Sequence, residues 1–150
     1  MKSKTMKNQT EQRGFTLIEI MVVMVILGLL VAIVAPNIMG RSDQARVTVA
    51  ETQMSNIANA LDLYRLDNSN YPSTQQGLEA LVSKPSGSPE PRNWNPEGYL
   101  NSVPEDPWGN EYQYISPGTE GPYDLFSYGA DGREGGDGDD ADISVWNVRD

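Results

Sequence analysis

An apolar run of about twenty residues near the N-terminus constrains the fold of this 150-residue chain more than any other feature. The run extends from Phe15 to Ala35, and its only polar side chains are Thr16 and Glu19. As a helix that rises about 1.5 Å per residue, it matches the thickness of a membrane's hydrocarbon core, about 30 Å. We therefore expect the chain to span a membrane once, or to be anchored in one.

The charges on either side of the run predict its orientation. The segment before Phe15 contains four basic residues and one acid, Glu11, whereas the whole chain has a net charge of −10. Basic residues on one side keep that side in the cytoplasm. A secretory signal peptide also begins with basic residues, but its apolar stretch is shorter, about 7–15 residues, and its cleavage site is clearer than "AIVAP".

Composition excludes several classes of function. The chain has no histidine and no cysteine, which excludes imidazole catalysis, histidine-bound zinc and disulfide bonds. Its acidic balance argues against nucleic acid as a partner, because such binding usually needs a basic patch. Neither a P-loop nor a G-x-S-x-G motif is present, and we expect no enzymatic activity.

After the apolar run, the pattern predicts an α+β domain. One long helix is expected from about Phe15 to Leu66, because apolar residues recur every three or four positions in its second half. "STQQGLEALVSKP" predicts a short second helix capped by Ser73 or Thr74, and residues 85–107 an irregular loop. Three alternating segments, "EYQYIS", "YDLFSYG" and "DISVWNV", predict a small antiparallel sheet that covers the helix. The predicted apolar stripe of the helix consists of Val47, Ala50, Met54, Ile57, Leu61 and Tyr64.

Glu19 is costly within a membrane span, at roughly 2.5–3.5 kcal/mol near a helix centre and less towards an end. Its context, "RGFTLIE", resembles the type III signal of type IV pilins and pseudopilins. In that family a prepilin peptidase cuts after the glycine and methylates the new N-terminal residue. The resemblance implies cleavage between Gly14 and Phe15, N-methylation of Phe15, and pairing of Glu19 with that amine in the same or a neighbouring subunit.

The same resemblance divides the chain into three parts. It implies a basic leader over residues 1–14, a transmembrane and assembly helix over residues 15–36, and a periplasmic globular domain over residues 37–150. A start at Met6 instead of Met1 would shorten the leader, and the sequence leaves both starts open.

Further segments narrow the resemblance. "LDLYRLDNSNYPSTQQGLEALV", "DPWGNEYQY" and "YDLFSYGADGREGG" look like the major pseudopilins of bacterial type II secretion. This implies a type IV pilin-like fold and a structural subunit of a periplasmic filament that drives folded proteins through the outer-membrane secretin. The implied partners are further copies of the chain, minor pseudopilins, the prepilin peptidase, the inner-membrane assembly platform, the secretin and inner-membrane lipid. A type IV pilin, a DNA-uptake pseudopilin and an anchored calcium-dependent binder are the alternatives.

The segment "GADGREGGDGDDAD", residues 129–142, combines clustered carboxylates with glycines. Composition leaves two interpretations open, a solvated acidic loop or a site for Ca²⁺, which takes six to eight oxygen ligands. The pseudopilin resemblance implies calcium. It implies the carboxylates of Asp131 and Asp142 and the carbonyl of Tyr128 as ligands. Ala141 stands where some members have an aspartate, which leaves Asp140, Asp139 or a backbone carbonyl as the remaining ligand.

Overall fold

The computed structural model describes residues 14–149, and for residues 35–39 and 149 it describes the backbone alone. The rest of the predicted leader, with the choice between Met1 and Met6, lies outside the described residues. The chain forms two compact units, of which the first ends at Gly40 and the second begins at Arg41. In chain order the elements are helix α1 (Leu17–Asn68), a 3₁₀ turn (Leu78–Leu81), strands β1 (Gln113–Ile115) and β2 (Asp124–Ser127), a second 3₁₀ turn (Gly138–Asp140), strand β3 (Ile143–Ser144) and helix α2 (Val145–Arg149).

The α+β class is confirmed, with a three-stranded antiparallel sheet in the order β1-β2-β3. Tyr114 pairs with Leu125 across β1 and β2, and Phe126 pairs with Ser144 across β2 and β3. Successive side chains of a strand point to opposite faces. Tyr114 and Leu125 are buried, so the sheet turns this face towards the core.

The second half of α1 presents the predicted apolar stripe to the core. Met54, Ile57 and Leu61 are fully buried, and Val47, at the start of the stripe, is half-buried. An amphipathic helix gains most of its stability from such burial, at about 25 cal/mol for each Å² of apolar surface. The prediction that C-terminal segments cover this stripe is confirmed. The residues that form the core with it are Leu78, Ala80, Leu81, Tyr112, Tyr114, Tyr123, Leu125 and Val145.

The predicted second helix is reduced to a capped turn followed by one 3₁₀ turn. Ser73 and Gln76 exchange two hydrogen bonds, in which Ser73 N donates to Gln76 Oε1 at 3.0 Å and Gln76 N donates to Ser73 Oγ at 3.3 Å. Gly77 then adopts a φ of 61°, outside the right-handed helical region, which ends this turn before the 3₁₀ residues Leu78–Leu81. The expected Ser73 cap is present, but it does not start an α-helix.

The predicted third strand is wrong beyond Ser144. The Ser144 Oγ accepts a hydrogen bond from the Trp146 backbone N–H at 3.4 Å, which is the position of a helix N-cap. The Trp146 indole N–H donates to the Tyr123 carbonyl at 2.9 Å, and its ring lies 5.3 Å from the Tyr123 ring. With these contacts, the segment after Ser144 forms the short helix α2 instead of continuing as a strand.

The irregular segment over residues 85–107 is confirmed, and polar contacts tie it to the end of α1. The buried Asn68 side chain donates to the Tyr99 hydroxyl at 3.1 Å and accepts from the Asn93 backbone N–H at 2.9 Å. The Tyr99 hydroxyl in turn donates to Asp67 at 2.9 Å. Burial followed by this bond to Asp67 raises the pKa of Tyr99, so the hydroxyl remains a donor at neutral pH.

Candidate functional sites: the apolar helix surface and the acidic loop

The first candidate site is the apolar surface of α1 within the N-terminal unit. Every large apolar side chain from Phe15 to Val34 is at least 49% exposed, and Phe15 reaches 81%. Leu17–Val34 is the one helical stretch of the described residues that is long and apolar enough to cross a membrane. So much contiguous apolar surface is not stable against water, and lipid or other protein chains must cover it.

The start of α1 is built around Thr16 and Glu19. The Thr16 Oγ1 accepts a hydrogen bond from the Glu19 backbone N–H at 3.3 Å, and the Thr16 carbonyl accepts from Ile20 N at 3.3 Å. Thr16 and Glu19 have the T-x-x-E spacing of a capping box. The Glu19 carboxylate also lies in the first turn, near the positive end of the helix dipole. Glu19 therefore also stabilises the helix N-terminus. The sequence signal for this role was the T-x-x-E spacing, which our sequence analysis did not use.

The predicted cleavage bond lies directly before this cap. Gly14, Phe15 and Thr16 are not helical, and all three are exposed. Among the described residues beyond its chain neighbours, no atom lies within 4 Å of the position that a Cβ would occupy at Gly14. The Gly14–Phe15 peptide bond is thus open to another protein.

The second candidate site is the acidic loop between β2 and β3. Gly129 is buried at the start of the loop, with a φ of 69°. A Cβ at Gly129 would lie 2.8 Å from the carbonyl oxygens of both Asp139 and Ala141. Ala130 N also donates to the Asp139 carbonyl at 2.9 Å, so the two ends of the loop close on each other at Gly129.

The predicted ligands lie in one loop, but their carboxylates do not converge. Asp131 Oδ1 accepts from Arg133 N at 3.0 Å, and Asp142 Oδ2 accepts from Gly135 N at 3.0 Å. Within residues 14–149, no group of three or more acidic side chains is placed to hold a metal ion. The loop does gather backbone carbonyls, at Gly129 and where the Asp140 carbonyl meets Gly136. The donors that the loop offers are therefore oxygens, the ligand type that Ca²⁺ prefers.

A surface pocket of about 350 Å³ brings part of this loop together with the sheet. Two of the predicted ligand residues, Tyr128 and Asp142, line it, as does Glu134, an acid to which the sequence analysis gave no role. The Tyr128 ring packs against Phe126 with a centroid distance of 5.2 Å. Tyr128 and Asp142 thus border the same pocket, whereas Asp131 is not among its lining residues.

Asp139 instead faces α1. Its pKa is raised, first by desolvation and then by the neighbouring Asp43 carboxyl, with which it shares a hydrogen bond. Asp140 also raises the pKa, and Arg46 opposes the shift. Asp43 lies far from the loop in sequence, and no local pattern pointed to it. Of the two less certain ligands, Asp139 is the one that the structure already engages elsewhere.

Comparisons with known proteins identify the family of the chain. The family model for type II secretion system protein G matches residues 37–146, and that for the prokaryotic N-terminal methylation motif matches residues 10–35. A type II secretion system core protein G from Pseudomonas aeruginosa is 65% identical over 137 residues, which is 91% of this chain and 96% of that protein. The core protein G of Vibrio cholerae is 55% identical over 97% of this chain and 99% of its own length.

A solved structure shows the same fold. The crystal structure of the major pseudopilin from the type 2 secretion system of enterohaemorrhagic Escherichia coli superimposes with a TM-score of 0.66 at 45% identity. The match covers 75% of this chain and 96% of that one. The expected pseudopilin resemblance is confirmed, and the chain belongs to the type II secretion system protein G family.

Proposed function

We propose that this chain is the repeating subunit of a periplasmic filament, the pseudopilus, which drives folded proteins through an outer-membrane secretin. The observation that carries the proposal is the exposed apolar surface from Phe15 to Val34 in a member of the core protein G family. In the inner membrane, lipid covers this surface. In the filament, the same surfaces of neighbouring subunits cover one another, so that burial of apolar area drives assembly.

Processing precedes assembly. The prepilin peptidase hydrolyses the Gly14–Phe15 bond, releases the basic leader and frees the Phe15 amine, which is then methylated. The match to the N-terminal methylation motif and the open, non-helical backbone at Gly14 both support this step. A matched pair of variants tests it: Gly14→Val is expected to keep the leader attached, and Gly28→Val, at an exposed helical glycine, is expected to be cut. Intact mass reports the outcome, and normal cleavage of Gly14→Val contradicts the assignment.

Cleavage also gives Glu19 a partner. The Phe15 amine and the Glu19 carboxylate are each costly in lipid, and a neutral pair of the two is less so. The pair can form within a subunit or between neighbours. Pairing between neighbours would recruit subunits in register, because a subunit with an unpaired charge lowers its free energy when its charge meets the opposite charge of the next subunit.

The filament proposal is tested with Glu19→Leu in a host strain that lacks its own copy of the subunit. The variant is expected to insert into the membrane normally but to form few filaments and to secrete little substrate. Met21→Leu, an apolar exchange in the same run, serves as the control and should behave as wild type. Normal filament yield and secretion by Glu19→Leu would contradict the proposed role.

We also propose that the acidic loop binds Ca²⁺, with Asp131, Asp142 and the Tyr128 carbonyl among the ligands and with Asp140 or Asp139 as a further ligand. The supporting observations are the oxygen-only donors, the gathered carbonyls and the pocket shared by Tyr128 and Asp142. Bound calcium would neutralise part of the negative charge of the loop and join its two ends.

The calcium proposal is tested by melting the full chain in detergent micelles with calcium and with a chelator. At 100 times its Kd, a ligand adds about 2.7 kcal/mol of stability. We expect Asp131→Ala to abolish the calcium-dependent rise in Tm, and Asp137→Ala, a loop acid outside the proposed ligands, to retain it. Equal melting of the wild-type chain in calcium and in chelator would contradict the site.

The remaining assignments follow from the family. The N-terminus lies in the cytoplasm and the domain after residue 36 in the periplasm. The partners are other copies of the chain, minor pseudopilins, the inner-membrane assembly platform, the secretin, the prepilin peptidase and inner-membrane lipid. The role is structural, with neither catalysis nor nucleic acid binding. The core protein G relatives favour this function over a type IV pilin or a DNA-uptake pseudopilin.

A further inference from the structure

A buried carboxylate lies behind the acidic loop. Asp106 is only 4% exposed, and it belongs to the turn that precedes β1. Its Oδ1 accepts hydrogen bonds from Asn110 N at 2.8 Å and Trp108 N at 3.1 Å. Its Oδ2 accepts from the Ser127 hydroxyl at 2.6 Å. Three donors thus hold one buried charge in a single orientation.

The same hydrogen-bond network reaches the loop through Gly129. The Ser127 Oγ, whose hydrogen is given to Asp106, accepts from the Gly129 backbone N–H at 3.2 Å. The Asn110 amide donates to the Gly129 carbonyl at 3.4 Å. The backbone N–H and carbonyl of Gly129 are therefore hydrogen-bonded to Ser127 and Asn110, and both of these residues are hydrogen-bonded to Asp106.

Gly129 is also where the loop closes, because the carbonyls of Asp139 and Ala141 pack against it. A shift of this residue would displace both carbonyls together with the neighbouring Tyr128. Hydrogen bonds to a buried carboxylate are among the stronger ones in proteins, and a charged group that loses one in the interior is penalised further. Asp106 is thus placed to fix the end of the loop although it is not one of the proposed ligands.

We propose that Asp106, through Ser127 and Asn110, is a positioning residue of the acidic loop: it holds the Gly129 closure in place and thereby favours binding of a divalent cation by the loop. This inference rests on the proposed calcium site for its ligand. The contribution of Asp106 to the order of the loop can also be measured without the metal, which separates this inference from the calcium proposal.

The experiment uses the full chain in detergent micelles, with the variants Asp106→Asn and Ser127→Ala. Asp106→Asn keeps the shape of the side chain but places a donor where an acceptor is needed. Ser127→Ala removes the connecting hydroxyl without changing any charge and is the milder variant should Asp106→Asn fail to fold. Asp124→Asn is the matched control, because the Asp124 carboxylate also accepts three hydrogen bonds. The donors are groups of Thr119 and Glu120, which lie in the connection between β1 and β2. Asp124 also lines the pocket that contains Asp142, so the control removes an equal charge close to the loop.

Amide hydrogen exchange in chelator is the first measurement. We expect Asp106→Asn and Ser127→Ala to raise exchange across residues 129–142 by about ten-fold or more, the effect of losing a hydrogen bond to a charged group. Asp124→Asn should raise exchange only around residues 117–122. Unchanged exchange across residues 129–142 in both test variants overturns the inference.

Titration with calcium chloride is the second measurement. The Kd for calcium should rise by about ten-fold or more in both test variants, and distinctly less in Asp124→Asn. A purely structural role for Asp106 predicts lower stability with an unchanged Kd, and that result also overturns the inference. A wild-type chain that binds no calcium contradicts the calcium proposal and the cation-binding part of this one, and hydrogen exchange still decides whether Asp106 holds the loop.

Discussion

Alanine at Gly129 tests the closure of the acidic loop, and alanine at Gly138 provides its control. Both glycines have a positive φ, 69° and 64°, and both lie in the same loop. A side chain in this left-handed conformation costs about 1–2 kcal/mol. Replacing glycine also restricts the unfolded chain, which offsets about 0.4–1 kcal/mol. At Gly138 an added Cβ would meet no atom of the described chain within 4 Å other than its sequence neighbours, so the expected net loss for Gly138→Ala is about 0–1.5 kcal/mol.

Gly129→Ala carries the same backbone cost and a steric one. Its Cβ would lie 2.8 Å from two backbone carbonyl oxygens, which cannot rotate away as a flexible side chain would. One of them, the Asp139 carbonyl, accepts the Ala130 N–H, and displacing it sacrifices a hydrogen bond worth about 1 kcal/mol. With some strain in the second carbonyl, the expected loss for Gly129→Ala is about 2–4 kcal/mol.

Urea unfolding of the full chain in micelles, followed by tryptophan fluorescence, measures both variants. Trp108 and Trp146 lie in the second unit and report on its unfolding. The reasoning predicts that Gly129→Ala is less stable than Gly138→Ala by about 1 kcal/mol or more, at the same m-value. Equal losses for the two variants would refute the close packing of the carbonyls around Gly129.

Three further predictions concern the core, the helix start and acid stability. Leu61→Ala, at a fully buried position, should lower the free energy of unfolding by about 2–5 kcal/mol. Leu63→Ala, at a 54% exposed position of the same helix, should lower it by well under about 1 kcal/mol. Similar losses for the two variants in urea unfolding would contradict the orientation of the stripe. Thr16→Val should lower the helicity of the first turns in micelles and Thr16→Ser should preserve it, as nuclear magnetic resonance chemical shifts would show; no difference would argue against the cap. Despite opposing desolvation, the hydrogen bonds from Thr119 and Glu120 lower the pKa of Asp124, so its contribution to stability is present above about pH 4 and is lost as pH falls through the lowered pKa. Asp124→Asn should therefore reduce the loss of Tm on acidification, and an unchanged pH profile would contradict the assignment.

The apolar N-terminal part of α1 and the apolar stripe of its second half could be predicted because both depend on patterns within one helix. A run of apolar residues is legible without knowledge of any neighbour, and the three- and four-residue spacing of Met54, Ile57 and Leu61 defines a face before its cover is known. The strands β1 and β2 were legible in the same way, because Tyr112 and Tyr114 alternate with polar residues at β1 and Tyr123 and Leu125 flank Asp124 at the start of β2.

Local patterns failed where a single residue or a distant contact decided the structure. Gly77 ended the expected second helix because its positive φ leaves the right-handed helical region. "DISVWNV" alternates like a strand, yet the Ser144 cap and the bond from Trp146 to the Tyr123 carbonyl turn it into α2. Tertiary contacts of this size readily exceed the small preference of a short segment for one secondary structure.

In the acidic loop, too, some features followed from the local sequence and others only from contacts between distant residues. The composition of the loop and the order of Tyr128, Asp131 and Asp142 could be taken from the sequence. The two alternative interpretations, a solvated loop and a cation site, also followed from the sequence. The hold of Asp106 on Gly129 and the approach of Asp43 to Asp139 were not, because they join residues that are far apart in the chain. Hydrogen bonds form only when the fold has brought donor and acceptor within about 3 Å, so tertiary structure alone decides them. The sequence by itself determined which segments must leave water and where carboxylate oxygens are concentrated, since both properties belong to individual residues and their spacing.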